Sequence, residues 1–352
     1  MRLKLNILLI TLLTLFSCAK EGGGRVDYGP ETGNLCVRFD VSAMNPPIVG
    51  VTKDNADPGH VLSEGSDGVM KIGRMWLVDK AGNVVVFRKT EDNNSNSRIM
   101  KFSNVKRGEY TLYILLNSKE LDGFIEGRNI NDYFKKKCLA EITSGSSPEY
   151  TVESGVPCSI VKDVAIAAGD NYVDVSLQRC VGRLTVVVLN NIHDCKLAIG
   201  GIGLSKVNPS TGYYFPQSDG SVPGYTDMAF HDLDNNLVVL EPSKNKIIFD
   251  RYVYETKEIS EGFSLRLFGA VYGKDIAPKI DGTKFVGSIK DLPNGEIKIN
   301  YIDDYGVSKL LTRIKRNEHV TVSINVSYDR EYMQFGFTVK AWETKDNTTT
   351  FD

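Results

Sequence analysis

Apolar residues recur at every second position in many short runs of this chain, and a run built that way folds most readily as a half-buried strand. Leu35, Val37, Phe39 and Val41 alternate with Cys36, Arg38 and Asp40. Two β-prone runs, Met75 to Val78 and Val84 to Phe87, flank the polar stretch Asp79-Lys80-Ala81-Gly82-Asn83, which predicts a hairpin. Further strands are predicted at Tyr110 to Leu116, Val173 to Leu177, Leu184 to Leu189, Lys246 to Phe249, Phe263 to Phe268, Val320 to Val326 and Phe335 to Ala341. One short helical spacing, Ile130, Tyr133, Phe134 and Leu139, interrupts the first half. Many short strands with glycine-rich and asparagine-rich turns predict an all-β chain of two antiparallel sandwiches, 34–178 and 179–352, the first with a short helix.

The N-terminus has a separate logic. Arg2 and Lys4 precede an apolar stretch from Ile7 to Phe16, too short for the roughly 20 residues that span a bilayer core, so residues 1–17 read as a signal peptide. Leu15-Phe16-Ser17-Cys18 resembles the lipobox cut by lipoprotein signal peptidase, and Cys18 then becomes the lipidated first residue of a polar, glycine-rich tether over 18–33. Several acyl chains, at about 0.8 kcal/mol per buried CH₂, hold a protein firmly at a membrane. The full chain has 41% apolar and 24% charged residues, as expected of a globular body, and its net charge of -2 gives no reason to expect nucleic acid as a partner. With Cys18 lipidated, five of the six cysteines remain, without a CxxC pair, and small buried hydrophobes are the expected role for most.

No local pattern of catalytic, metal-ligating or cofactor-binding residues emerges. His60, His193, His231 and His319 share no metal-ligand spacing. Gly200-Gly201-Ile202-Gly203 lacks the Lys-Ser/Thr of a phosphate loop and reads as a glycine-tolerant strand or bulge. Asp232 to Asn236 is rich in oxygen ligands, yet Leu237 stands where a calcium loop needs glycine, so a polar turn is expected. No GxSxG elbow occurs, and the chain reads as a non-enzyme without cofactors. Tyr213, Tyr214 and Tyr225, near Pro216 and Pro223, are either an aromatic platform for a glycan or a packed loop.

Five segments, in order, resemble the fimbrillin superfamily of Bacteroides-type bacteria. They are the hairpin Trp76 to Phe87, the strand Gly108-Glu109-Tyr110 to Asn117, the arginine-flanked stretch Leu177 to Val186, the lead-in Arg316-Asn317-Glu318-His319 to a late strand, and Phe337 to Trp342. The resemblance implies transthyretin-like sandwiches and a surface fimbria assembled by strand exchange. A protease that cuts after arginine or lysine removes the first strand, and a donor strand from another subunit fills the groove.

On that basis Leu35, Val37, Phe39 and Val41 are the expected plug, and Phe335, Phe337, Val339 and Ala341 the expected donor face. Lys53, the one lysine or arginine between Phe39 and Met70, is the expected cut. The partners implied are other fimbrial subunits, the outer membrane through the lipid before processing, and a host or bacterial surface ligand. An anchor subunit that keeps its lipid and first strand, and a surface glycan-binding lipoprotein, are the alternatives. Cys18→Ala is expected to abolish uptake of a fatty-acid analogue and release the protein from the membrane, read by labelling and fractionation of cells.

Overall fold

The computed structural model describes residues 31–40, 72–91, 99–118, 120–130, 132–141, 148–150, 154–205, 209–217, 230–232, 237–281, 284–293, 295–302, 307–328 and 333–341. The expectations for the signal, Cys18, the tether, Val41, Lys53, Tyr225 and the tail after Ala341 lie outside these residues. The first half holds β1 (Thr32–Asp40), β2 (Ile72–Val78), β3 (Val84–Glu91), β4 (Ile99–Lys106), β5 (Gly108–Leu116), α1 (Asp132–Lys135), β6 (Cys158–Ile166), β7 (Gly169–Ser176) and β8 (Gln178–Arg179). The second half begins with β9 (Val181–Asn190), β10 (Cys195–Ser205), β11 (Phe230–Asp232), β12 (Val238–Leu240), β13 (Asn245–Tyr254) and β14 (Ser264–Gly273). Short strands β15 (Lys279–Asp281), β16 (Lys284–Val286), β17 (Lys290–Asp291), β18 (Ile297–Lys298), β19 (Asn300–Ile302) and β20 (Ser308–Leu310) lead to β21 (His319–Tyr328) and β22 (Met333–Ala341).

The two halves repeat one plan. In the first, a sheet of order β4-β1-β7 faces a sheet of order β3-β2-β5-β6-β8; in the second, β13-β9-β21-β22 faces β11-β10-β14-β17. Each half opens with a strand that pairs antiparallel on one side and parallel on the other: β1 with β4 and β7, and β9 with β13 and β21. The sheets are otherwise antiparallel. Parallel pairing enters where the first strand of each sandwich lies beside its penultimate one, β7 or β21. β22 adds a fourth strand beside β21 that the first half's β4-β1-β7 sheet does not repeat among the described residues.

Burial follows the alternation where one face of a strand meets solvent. Leu35, Val37 and Phe39 lie in the first core with Met75, Leu77, Phe102 and Leu112. Where both faces are covered, alternation disappears from the sequence, as it must. On β2, Met75 and Leu77 enter the first core while Trp76 and Val78 enter a separate, aromatic-rich cluster with Tyr113, Phe134, Phe215, Tyr252 and Tyr254. That cluster draws side chains from both halves and joins them. The segment between β5 and β6 lies over this face: Trp76 Nε1 donates to the Phe124 carbonyl at 2.7 Å, and the buried Arg74 guanidinium pairs with Asp122.

The helical spacing predicted from Ile130 to Leu139 is realised as the single turn α1, with Ile130 and Leu139 buried on either side of it. Gly200 to Gly203 lie on β10, where the register shifts between Ile199 and Gly201 in a bulge. The Asp79 to Asn83 turn closes the predicted hairpin, with Gly82 at φ 85°. Among the described residues no helix is long and apolar enough to cross a membrane.

Candidate functional site

β1 is the strand whose surroundings carry most meaning. It lies between β4 and β7, which do not pair with each other, so its backbone supplies the pairing of both neighbours. Its inward side chains Leu35, Val37 and Phe39 are 1%, 0% and 4% exposed, and burying each such side chain contributes roughly 1.5–3 kcal/mol. Removal of β1 would leave an apolar trough flanked by two unpaired strand edges, a surface that readily accepts another strand.

The outward face of β1 is a polar ladder. Arg38 donates from Nε and Nη2 to both carboxylate oxygens of Asp174 at 2.6 and 2.8 Å, and its guanidinium lies 5.6 Å from the centre of the Tyr172 ring. Asn34 Nδ2 donates to Asp170 at 2.6 Å, while Asn34 Oδ1 accepts from the Asn104 backbone amide at 3.2 Å. Asn34 therefore touches both walls of the trough. The amide of Asn34, and then Lys101, hold the Asp170 carboxyl below its ordinary pKa, and the Asp174 bond raises that of Arg38. At the start of the strand Gly33 is obligatory, because a Cβ there would stand 2.0 Å from the Ala167 carbonyl oxygen.

β22, which carries the expected donor residues, pairs antiparallel with β21 over its whole length, from Val320 opposite Ala341 to Tyr328 opposite Met333. It is the edge strand of its sheet, and Phe335 packs on the second core. Plug and donor segments thus belong to different sandwiches. The cut site expected at Lys53 and the lipidation site at Cys18 are not among the described residues.

Two of the sequence segments singled out for their arginines meet at the joint between the halves, which spacing alone did not foretell. Asn317, at φ 58°, donates its backbone amide to the Val181 carbonyl at 2.9 Å and accepts from the Arg179 amide at 3.3 Å. Gly182 lets this loop approach: a Cβ there would lie 2.8 Å from the Lys315 carbonyl oxygen. Arg316 reaches into the joint, donating to Glu255 at 3.2 Å, to Ser159 of β6 at 3.3 Å, and to the Tyr213 and Tyr214 carbonyls at 2.8 and 3.2 Å. Arg313 holds the other oxygen of Glu255 at 2.7 Å. Nearby, Arg183 pairs with Asp250 at 2.6 Å. Thr185 spends its hydroxyl proton on Asp250, so it can only accept at the 2.8 Å contact with His319, whose Nε2 must then donate.

Of the three tyrosines, Tyr213 is half-buried and Tyr214 is packed inside. Tyr214 is buried in the aromatic cluster, with its hydroxyl donated to by Ser118 at 3.1 Å and pushed up to about 12 by burial. Its packed-loop alternative holds, while Tyr225 lies outside the described residues. Of the cysteines, Cys36, Cys158 and Cys180 are buried, and burial pushes the Cys180 thiol up. Among the described residues no three His, Cys, Asp or Glu side chains stand together as a metal site.

Arg316→Ala is expected to lower unfolding free energy by about 3 kcal/mol, because it strips Glu255 of one of its two arginines, takes the donor from the Tyr213 carbonyl and leaves the Tyr214 carbonyl to Ser159 and Cys180 alone. Denaturant titration checks this, and Arg316→Lys, which lacks the planar fork, is expected to recover only part of the loss.

The comparisons agree with this architecture. Among solved structures, the tip fimbrial protein Mfa3 from Porphyromonas gingivalis, with a C-terminal truncation, is similar at 12% identity and a TM-score of 0.52, over 88% of this chain and 99% of that one. A candidate cell adhesion protein from Bacteroides eggerthii is similar at 12% identity and a TM-score of 0.51, over 90% of this chain and 97% of that one. A search of curated protein sequences found no match. The family model of the fimbrillin-A associated anchor proteins Mfa1 and Mfa2 matches residues 63–348, most of the chain, and the chain belongs to that family.

Proposed function

We propose that the chain is a structural protein of a cell-surface fimbria. It is exported as a lipoprotein, held at the outer membrane through Cys18, and joined to neighbouring subunits by strand exchange that supports adhesion. One observation carries this reading: β1 sits between two strands that have no pairing with each other, and its apolar side chains complete the first core. Such a strand is both separable in sequence and needed in place, so its replacement by a strand from another chain is the simplest way to link subunits without unfolding either. Membership of a fimbrial family supports the same role and a structural rather than enzymatic one.

Lys53 is the proposed cut, since cleavage there separates the lipid and the plug from the body in one step. Phe335, Phe337, Val339 and Ala341, with the tail beyond, are the proposed donor segment; the edge position of β22 supports this, because an edge strand leaves with one ladder broken instead of two. A second reading, an anchor that keeps lipid and β1, is favoured by the family's description and by the ladder that ties Asn34 and Arg38 to β7.

Mass spectrometry of material recovered from the surface separates them. Chains beginning at Asp54 are the result expected of a processed subunit, and acylated Cys18 in every chain is the result expected of an anchor. Truncation after Glu343 spares β22, so folding and melting are expected to be unchanged while protease-triggered oligomers are lost; unaltered polymerisation would remove the tail from the donor role.

A further inference from the structure

The solvent face of β1 and its first residues are more specific than a plug requires. Leu35, Val37 and Phe39 explain why an apolar strand fits, and many strands share that alternation. Three other contacts discriminate. Asp174 receives a two-pronged guanidinium, Asp170 receives an amide four residues earlier, and the Ala167 carbonyl oxygen leaves no room for a Cβ at the residue before that amide. All three partners sit on β7 or the turn preceding it, in parallel register with β1: Gly33 opposite Gly169, Asn34 opposite Asp170 and Arg38 opposite Asp174.

We propose that the trough beneath β1 is a sequence-selective strand site. Its occupant from another subunit must run parallel to β7 and present glycine, then a hydrogen-bond-donating side chain toward Asp170, then four residues later a cation toward Asp174. This rests on the strand-exchange reading above. It also implies that the occupant is a different protein and not a second copy's β22.

Two registers of β22 keep its apolar face inward, and both fail. With Gln334 opposite Asp170, Met333 takes the glycine position and Thr338 meets Asp174. With Lys340 opposite Asp174, Phe335 takes the glycine position and Gly336 offers nothing to Asp170. Either way a Cβ is driven against the Ala167 carbonyl; in the first register Asp174 loses its cation, and in the second Asp170 keeps only Lys101. The electrostatic part of this selection is modest, since Arg38 and Asp174 are half or more exposed, and it acts chiefly by rejecting a like charge. The steric part is strong, because a backbone carbonyl cannot swing aside as a side chain can.

The test uses the full chain with a unique protease site inserted between β1 and β2, cleaved so that β1 is held only non-covalently. Labelled peptides compete for its place: Thr32–Asp40, the same peptide with Arg38→Glu, the same with Gly33→Val, and Met333–Ala341. The unaltered peptide is expected to exchange in, the glutamate peptide about fivefold more weakly at low salt with the difference shrinking at high salt. The valine peptide and the β22 peptide are expected to be weaker by about tenfold or more.

On the Asp174→Asn chain, a milder change, the arginine and glutamate peptides should bind alike; on Asp174→Arg their order should invert. Equal binding of all four peptides to the cleaved chain would overturn the selectivity while leaving strand exchange intact. Failure of every peptide, the unaltered one included, would overturn strand exchange and this proposal with it.

Discussion

The first sandwich depends on one strand that is hydrogen-bonded on both edges. β4 and β7 are both partners of β1 and not of each other, so the whole β4-β1-β7 sheet exists through it. A buried backbone amide or carbonyl without a partner costs roughly 1–3 kcal/mol, and loss of β1 exposes two ladders of them along with the places of Leu35, Val37 and Phe39. The same arithmetic that makes β1 costly to lose makes the emptied trough a strong receptor for a strand. On the strand-exchange reading proposed above, stability in the subunit and affinity between subunits would be one interaction used twice.

The second sandwich uses the same plan with a different end. β9 occupies the place of β1, but it continues directly from β8 with only Cys180 between, and it is tied to the loop before β21 by Asn317 and Gly182. It has no separable N-terminal segment. What distinguishes this half is β22, an added edge strand. One half thus has a first strand set off by the long segment 41–71, and the other has an extra last strand, and the asymmetry sits at opposite ends of the chain.

Between them, the joint combines apolar area with directed hydrogen bonds. An aromatic cluster supplies area, with Phe134 and Phe215 stacked at 5.3 Å and Trp76 edge-on to Phe134 at 5.1 Å. Arg316 supplies direction, because its planar fork satisfies two carbonyls, a hydroxyl and Glu255 at once. If subunits join as proposed, through β1 at one end and β22 at the other, a force along the fibre would pass through this joint. A polar network inside an apolar cluster suits that demand better than a flexible linker.

Much of this was legible in the residues themselves. Period-two alternation in Leu35 to Phe39 and in β21 is a local property: each side chain's face follows from the pleat, so the burial of Val320, Val322, Ile324 and Val326 could be read directly. The run Met75 to Val78 was legible as a hairpin strand, whereas the burial of both its faces was not. The sequence by itself determined that the chain is strands, where most of them lie, and which side chains face inward. Strand partners were decided only in three dimensions, because pairing is set by which distant backbone groups and cavities satisfy each other. Asn34 and Asp170, 136 positions apart, carry no mark of one another in the sequence. Nor do Arg316 and Ser159, 157 apart, and Tyr214 became a buried brace instead of a surface aromatic for the same reason. The folding of the chain brought these residues together; their order along it could not.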